Sequence, residues 1–489
     1  MDPQTGEVRG GAQREWLPRP WRPGDGPHPG RTFRPNARRL AIQLLEEFEL
    51  KRQPVDRAID QALESWNVPD RRDAGMVHEM VMGVLRHRRR LDMALAPLCT
   101  KPLEELSADL LAALRIGLYQ LYYLERVPDH AAIKETVSAL HPGPGRMANA
   151  VLREAQRRGA EILEVPGDSP MSPLERASIE WSMPDWLMLY LTENFGEDAA
   201  IQIADASHQK PQLVVRSNTP PLTRDEVMER LKREGFALAA PTPHSPLGVR
   251  LGMIGTHGPS NDWDFLRNGL ACVQDEASQI VGMLMQAKPN ERLLDFCAAP
   301  GGKTTLMASQ MESRGLVVAV DRTIPKRRRI QQLAQKLGLT NVWVESTPPV
   351  EEAWPATGKL GGPPFDGILV DAPCSGLGTL ARRPDVKWLK TREDLERLAQ
   401  LQLAILKRVW PRLRPGGRLI YSTCTLGHVE NQDVVRQFVA ETRDASLSAL
   451  SVEEFPFLAP EMITPDGFLQ VLPHQWPMDG MFAARLIKG

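Results

Sequence analysis

Two cysteines and an aspartate are the residues of this chain best placed to do chemistry. Cys374 stands in Asp371-Ala-Pro-Cys-Ser-Gly376, and Cys424 follows about fifty positions later in Ser422-Thr-Cys-Thr425. A thiol becomes the strongest nucleophile available to a protein at neutral pH once a nearby base or dipole favours its thiolate. A lone cysteine is more often an inert buried residue. Here each follows a run that reads as a buried strand, Phe365-Asp-Gly-Ile-Leu-Val370 and Gly417-Arg-Leu-Ile-Tyr421. Ligands of an open α/β sheet bind beyond the carboxyl ends of its strands, so both cysteines are expected to face one substrate. Asp371, read alone, is equally a helix cap or turn former.

The elements that must position these residues begin near Gly269. Leu270-Ala-Cys-Val-Gln274 reads as a short strand and 275–284 as a helix. Arg292-Leu-Leu-Asp-Phe-Cys-Ala-Ala-Pro-Gly-Gly-Lys-Thr-Thr305 reads as strand, glycine turn and helix start, and Leu316-Val-Val-Ala-Val-Asp321 as a strand ending in an acid. This alternation predicts a parallel, doubly wound sheet. Pro300, Gly301 and Gly302 let the backbone turn close to a ligand, and Asp321, about twenty residues on, is placed to accept from ribose hydroxyls. The turn is neither G-x-G-x-x-G nor G-x-x-x-x-G-K-[ST], which disfavours a dinucleotide or a nucleoside triphosphate. S-adenosylmethionine has no phosphates to cradle and fits better.

At 489 residues the chain is too long for one ordinary domain. Sixty basic against 61 acidic residues leave no global basic excess to announce a nucleic acid. Local clusters at Arg86-His-Arg-Arg-Arg90, Lys326-Arg-Arg-Arg329 and Arg382-Arg-Pro-Asp-Val-Lys387 are the only such hint, and each read singly is a solvated face. No apolar run reaches bilayer length and the first residues lack a secretory pattern, so a cytoplasmic protein with no membrane partner is expected. The five cysteines form no C-x2-C pair, which argues against a disulfide framework and a zinc ribbon; no metal is expected.

Residues 1–34, rich in Pro, Gly and Arg, read as a disordered arm. Residues 35–160 read as an all-α bundle: Leu40, Leu44, Leu45 and Phe48 share one helical face, and His141-Pro-Gly-Pro-Gly145 reads as a loop. Residues 161–268 read as a linker and a small α+β domain, with a strand at Gln212–Asn218 and a helix opened by a capping box at Thr223 and Glu226. Residues 269–489 hold the sheet described above.

The bundle's Gly83-Val-Leu-Arg86, Gly117-Leu-Tyr-Gln-Leu121, Pro128-Asp-His-Ala-Ala132 and Asn149-Ala-Val-Leu-Arg153 resemble the NusB family of RNA-binding helical domains. Asp295-Phe-Cys-Ala-Ala-Pro-Gly-Gly-Lys-Thr-Thr305, Asp371–Gly376 and Tyr421-Ser-Thr-Cys-Thr-Leu426 with Glu430-Asn431 resemble the Sun-type RNA cytosine carbon-5 methyltransferases. The resemblance implies a Rossmann-like S-adenosylmethionine-dependent methyltransferase domain behind a NusB-like one, ribosomal RNA as partner, and a monomer. It also implies that Cys297, Ala298, Ala299, Pro300, Gly301, Gly302 and Lys303 wrap the methionine part of the cofactor, that Asp321 holds the ribose, and that Asp371 lies between cofactor and base. One position departs. The family usually carries an acid after the third strand, and this chain has Val342-Trp-Val-Glu-Ser-Thr-Pro-Pro349, so Ser346 or Glu345 falls there.

Carbon-5 of cytosine needs a nucleophile added at carbon-6 before it accepts a methyl group, and a thiolate does this well. The resemblance makes Cys424 that nucleophile and Cys374 the helper in proton removal or product release; spacing alone does not rank the two. Lys303 is expected to touch the base or Asp371, or else to be a helix-start lysine in solvent. The base must be unstacked to admit the thiol, and Arg382–Trp388 is expected to supply phosphate and stacking contacts. The alternatives are a scaffold of the same fold with impaired catalysis, motivated by Ser346, and a methylase of protein or DNA, which the NusB-like bundle disfavours.

Overall fold

Asn36 opens the first helix of the computed structural model by accepting, through its side chain, from the amides of Arg38 and Arg39. The structure describes residues 36–66, 71–167, 170–218, 222–251, 263–348 and 354–489; the expected arm at 1–34 lies outside them. Helices Ala37–Lys51, Val55–Ser65, Arg71–Leu95, Ala108–Tyr123, Asp129–Ser138 and Pro142–Arg158 follow, and Leu40, Leu44, Leu45 and Phe48 lie in their common core as their spacing predicts. His141–Gly145, expected as a loop, instead starts a helix at Pro142. The first turn of a helix has no partners for its amides, so prolines at 142 and 144 lose nothing there, and the Gly145 amide closes the turn on the His141 carbonyl.

The small domain after three further helices is built on a four-stranded antiparallel sheet: β1 (Leu213–Ser217), β2 (Ala240–Pro241), β3 (Gly248–Leu251) and β4 (Ala271–Val273), in the order β2-β3-β1-β4. Thr223 and Glu226 form the expected reciprocal capping box of helix Arg224–Arg233. Strand β4, assigned from sequence to the catalytic sheet, pairs with β1 and completes this one. A short apolar run shows that a strand exists without showing which sheet takes it.

The large sheet contains β5 (Arg292–Phe296), β6 (Leu316–Asp321), β7 (Val342–Ser346), β8 (Phe365–Asp371), β9 (Leu413–Thr423), β10 (Ala445–Leu447), β11 (Leu469–Val471) and β12 (Met481–Lys488). Its order is β10-β12-β9-β8-β5-β6-β7, with β11 on β12. Strands β5 to β9 pair in parallel, as expected; β10, β11 and β12 add an antiparallel edge that the alternation did not predict. Side chains alternate between two cores: Leu293, Val317, Leu369 and Ile420 face one, Leu294, Val318, Ile368 and Leu419 the other. The chain runs outward from β5 through β6 to β7, then returns to β5's other side with β8. That reversal opens a crevice at the carboxyl ends of β5 and β8.

The three parts are tied together by the segment just past the first cysteine loop. Arg86 of the bundle donates to the Ala381 carbonyl, the Trp388 indole to the Leu85 carbonyl, and Asp385 accepts from the Val55 amide. Arg382 joins Asp275, Asp479 and the Gln212 carbonyl. The segment's arginines and tryptophan suggest contacts with RNA phosphates and stacked bases. The correction is that Arg382, Lys387 and Trp388 spend their polar groups inside the protein, where Trp388 also packs on the bundle's core.

Candidate active site

The crevice brings together residues from the ends of β5, β6, β8 and β9. Asp371 has the parity of Leu369 in β8 and Ser422 that of Ile420 in β9, so both face the layer that holds helix Gly302–Gln310. Lys303, in that helix's first turn, donates to Asp371 Oδ2 at 2.7 Å, and the Ser422 hydroxyl donates to Asp371 Oδ1 at 2.9 Å. Lys303 is buried, not a solvent-facing lysine. Burial works against its ammonium, yet Asp371, Cys424 and Asp295 together hold its pKa above the ordinary lysine value.

The two cysteines do meet: Cys374 Sγ lies 3.4 Å from Cys424 Sγ, and both are half-buried. The hydrogen bond to Cys424, reinforced by burial, pushes the Cys374 thiol well above the usual range. The loops that carry them are fastened to each other by groups whose role the sequence did not show. Glu430 Oε2 accepts from the Ser375 amide and the Gln402 side chain, each at 2.9 Å, while the Ser375 hydroxyl donates to Glu430 Oε1 and lies 2.5 Å from the Thr425 hydroxyl. Tyr421 donates to the Glu430 carbonyl at 2.6 Å. The Gly378 amide holds the Cys424 carbonyl at 3.0 Å, and Gly480 packs so close that a Cβ on Gly378 would lie 2.1 Å from the Gly480 carbonyl oxygen. Glu430 stands in the quoted motif, but its partner Ser375 is 55 positions away, a distance no local pattern spans.

The expected cofactor residues line the same crevice from the β5 and β6 side. Cys297 takes φ +69°, and burial pushes its thiol up to about 12. The Ala298 amide binds the Val320 carbonyl, and the Ala299 amide reaches the Asp321 carboxylate at 3.2 Å. Pro300 is exposed at the tip. Gly301 has φ +106°, a conformation that L side chains rarely adopt, and a Cβ added there would lie 3.2 Å from the Ile330 Cα. Gly302 begins the helix, where buried Arg216 of the small domain grips its carbonyl at 3.1 Å and Thr305 at 2.9 Å. Asp321 is buried, and Arg322's amide and Lys326 also engage its carboxylate.

Ser346 pairs in register with Asp321 across β6 and β7, and its hydroxyl accepts from Arg327 at 3.1 Å. Glu345 takes the other face of β7 and binds the Trp343 indole and the Lys359 amide. The acid next to Ser346 therefore does not replace a carboxylate beside Asp321. Asp295, at the floor between Lys303, Asp371 and Asp321, accepts from Thr304 at 2.5 Å through one oxygen, while its buried Oδ1 has no protein partner. Burial pushes this carboxyl up to about 7.

The family description "16S rRNA methyltransferase RsmB/F" matches residues 282–487, the NusB family 35–157, and an RsmF/B-like ferredoxin-like domain 183–254. A probable ribosomal RNA small subunit methyltransferase B of Bacillus subtilis is 34% identical over 93% of this chain and 99% of its own. The Shewanella oneidensis ribosomal RNA small subunit methyltransferase B is 31% identical over the same shares, 93% and 99%. Among solved structures, PH0851 superposes with a TM-score of 0.74 at 22% identity, covering 94% of this chain and 99% of its own. NSun6 from Pyrococcus horikoshii with SFG superposes at 0.55 and 21% identity over 62% and 98%. With its NusB-like bundle, ferredoxin-like middle domain and two-cysteine crevice, the chain belongs to the ribosomal RNA small subunit methyltransferase B family.

Proposed function

We propose that this chain transfers a methyl group from S-adenosylmethionine to carbon-5 of a cytosine in RNA, with small-subunit ribosomal RNA as substrate, in the cytoplasm and as a monomer. The observation that carries the reading is the thiol pair, 3.4 Å apart, beside the Lys303–Asp371 ion pair at 2.7 Å. The crevice suits the cofactor. Gly301 lets the chain turn without a Cβ, and the buried Asp295 Oδ1 has no hydrogen-bond partner within the protein. Cys297 to Lys303 would hold the methionine part, Asp321 the ribose and Ser346 the adenosine edge. S-adenosylmethionine supplies an electrophilic methyl group.

Cys424 is the nucleophile. Its sulfur adds to carbon-6 of the base, and the Lys303 charge beside it compensates the negative charge carried into the attack. Asp371, held by Lys303 and Ser422, accepts from the amino group of the cytosine and so orients the ring. After methylation the carbon-5 proton is lost to water, the carbon–sulfur bond breaks, and Cys424 leaves as thiolate. Cys374, kept protonated by its hydrogen bond and its burial, donates S–H to that departing sulfur and so helps release the product. The NusB-like bundle, clamped against the 382–388 segment, presents the RNA to the crevice.

The test is transfer of labelled methyl to unmodified small-subunit ribosomal RNA by the wild type, Cys424→Ala and Cys374→Ala. Wild-type turnover, a silent Cys424→Ala, and a trapped covalent RNA adduct in Cys374→Ala are expected. A second reading, an RNA-binding scaffold of the same fold with impaired catalysis, has the Ser346 hydroxyl and the averted Glu345 in its favour. Wild-type protein that binds neither cofactor nor methylates RNA would support it.

A further inference from the structure

We propose that Cys374 and Cys424 form a modification site, closing to a reversible disulfide when a hydroperoxide enters the crevice. The sulfurs already lie 3.4 Å apart, and a disulfide needs about 2.0 Å. Both cysteines stand beyond their strand ends, in loops, so closing the gap leaves the β8–β9 ladder intact. The bonds from Glu430 to Ser375 and Gln402, and from Gly378 to Cys424, keep the two loops in register while the sulfurs approach. Both thiols are half-buried, which leaves a path for a small oxidant. The remaining cysteines lack this combination: Cys272 is buried against Arg216, and neither Cys297 nor Cys99 has a second sulfur as a hydrogen-bond partner.

The step balances with the peroxide as oxidant. The Cys424 sulfur, as thiolate, attacks the terminal oxygen of the hydroperoxide; the oxygen–oxygen bond breaks, an alcohol leaves with a proton, and Cys424 becomes a sulfenic acid. The Cys374 sulfur then attacks that sulfur, the sulfur–oxygen bond breaks, and the Cys374 proton leaves with hydroxide as water. Two thiols and one hydroperoxide give one disulfide, one alcohol and one water. Cys374 is held protonated, which slows a free thiol, but contact with its target offsets this through proximity. A dithiol reductant reverses the bond. Because Cys424 is consumed, the oxidised protein has no nucleophile, although the chemistry itself does not depend on the methylation reading.

The experiment treats full-length protein with hydrogen peroxide, alkylates free thiols under denaturing conditions and maps the five cysteines by peptide mass. Loss of two alkylatable thiols is expected, at Cys374 and Cys424, with a cross-linked peptide pair and full recovery after dithiothreitol. In Cys374→Ser the cross-link disappears and dimedone labels Cys424 instead. Undiminished alkylation of both cysteines in oxidised wild type overturns the proposal, as does irreversible oxidation of Cys424 without a cross-link. The readout is thiol chemistry, so a failed methylation assay does not decide it.

Discussion

Among the described residues two lysines lie out of solvent, and they sit in opposite electrostatic settings. Lys303 and Lys387 are 9% and 1% exposed. Lys303, at the start of its helix in the crevice, holds Asp371 at 2.7 Å, and its pKa stands above the ordinary value. Lys387, in the clamp between bundle and catalytic domain, donates to the Arg86 and Trp181 carbonyls at 3.1 and 3.4 Å. Burial, with the Arg86 charge added, drives its pKa well below the ordinary value. Burial works against the charge of an ammonium unless a carboxylate supports it. The crevice thus keeps a cation where a sulfur must become anionic, and the clamp disfavours the charge on its own lysine.

Lys303→Met should lower methyl transfer by about 10²–10³-fold at saturating cofactor, the scale of losing one preorganised charge at a developing anion. Lys387→Met should leave turnover per folded molecule within about twofold, since no reacting atom is near it. Single-turnover rates on both variants check this. Equal losses would show that the clamp, not the charge in the crevice, governs the rate.

Asp371→Asn would turn Lys303 into a second Lys387. An ammonium without its carboxylate should cost about 2 kcal/mol of stability, moderated because Asp371 is partly open to solvent. The sign with pH reverses too. In the wild type the raised Lys303 pKa contributes stability that is fully present below the unfolded lysine value and is lost as pH rises through the folded one. In the variant the folded value is depressed, so the deficit is largest at low pH and is relieved as pH climbs toward the unfolded value. Denaturant melts from pH 7 to 10 would show the variant's midpoint rising relative to wild type.

Much of the crevice is legible in the sequence because it is local. A strand, a glycine turn and a helix start lie within 292–305, and Asp321 ends its strand where the apolar run stops. The clamp is not legible, because its meaning lies in partners such as Asp479 and Leu85, 97 and 303 positions away. Arg382 looks like any exposed arginine until Asp275 and Asp479 close on it, and Trp388 like a stacking platform until the Leu85 carbonyl takes its indole. Ser375 and Glu430 illustrate the same limit inside the site: the two motifs show the hydroxyl and the acid but not that they bond to each other. His141–Gly145 failed for a different reason, since residues that break a helix interior are harmless in its first turn.

The smallest expected effect belongs to the clamp's own titration. His87 and His208 pack edge to face with centroids 4.8 Å apart, and burial holds their pKa values down at about 3 and about 2. The groups facing them are Arg86, Arg90, Lys387, Tyr119, Tyr123 and Trp181, with cations and no carboxylate among them. A folded pKa depressed below the unfolded value of about 6.5 makes stability complete above that pH and steadily lost below it. At pH 5.5 the loss should be about 1 kcal/mol per histidine. His87→Phe should keep the ring stacked on Tyr123 and remove one share of the acid sensitivity, while Lys387→Met should reduce the remainder by deleting a neighbouring cation. Melts of wild type and the two variants at pH 5.5 and 7.5 measure this. Identical acid shifts in all three would place the sensitivity outside the clamp and leave Lys387 an inert rivet.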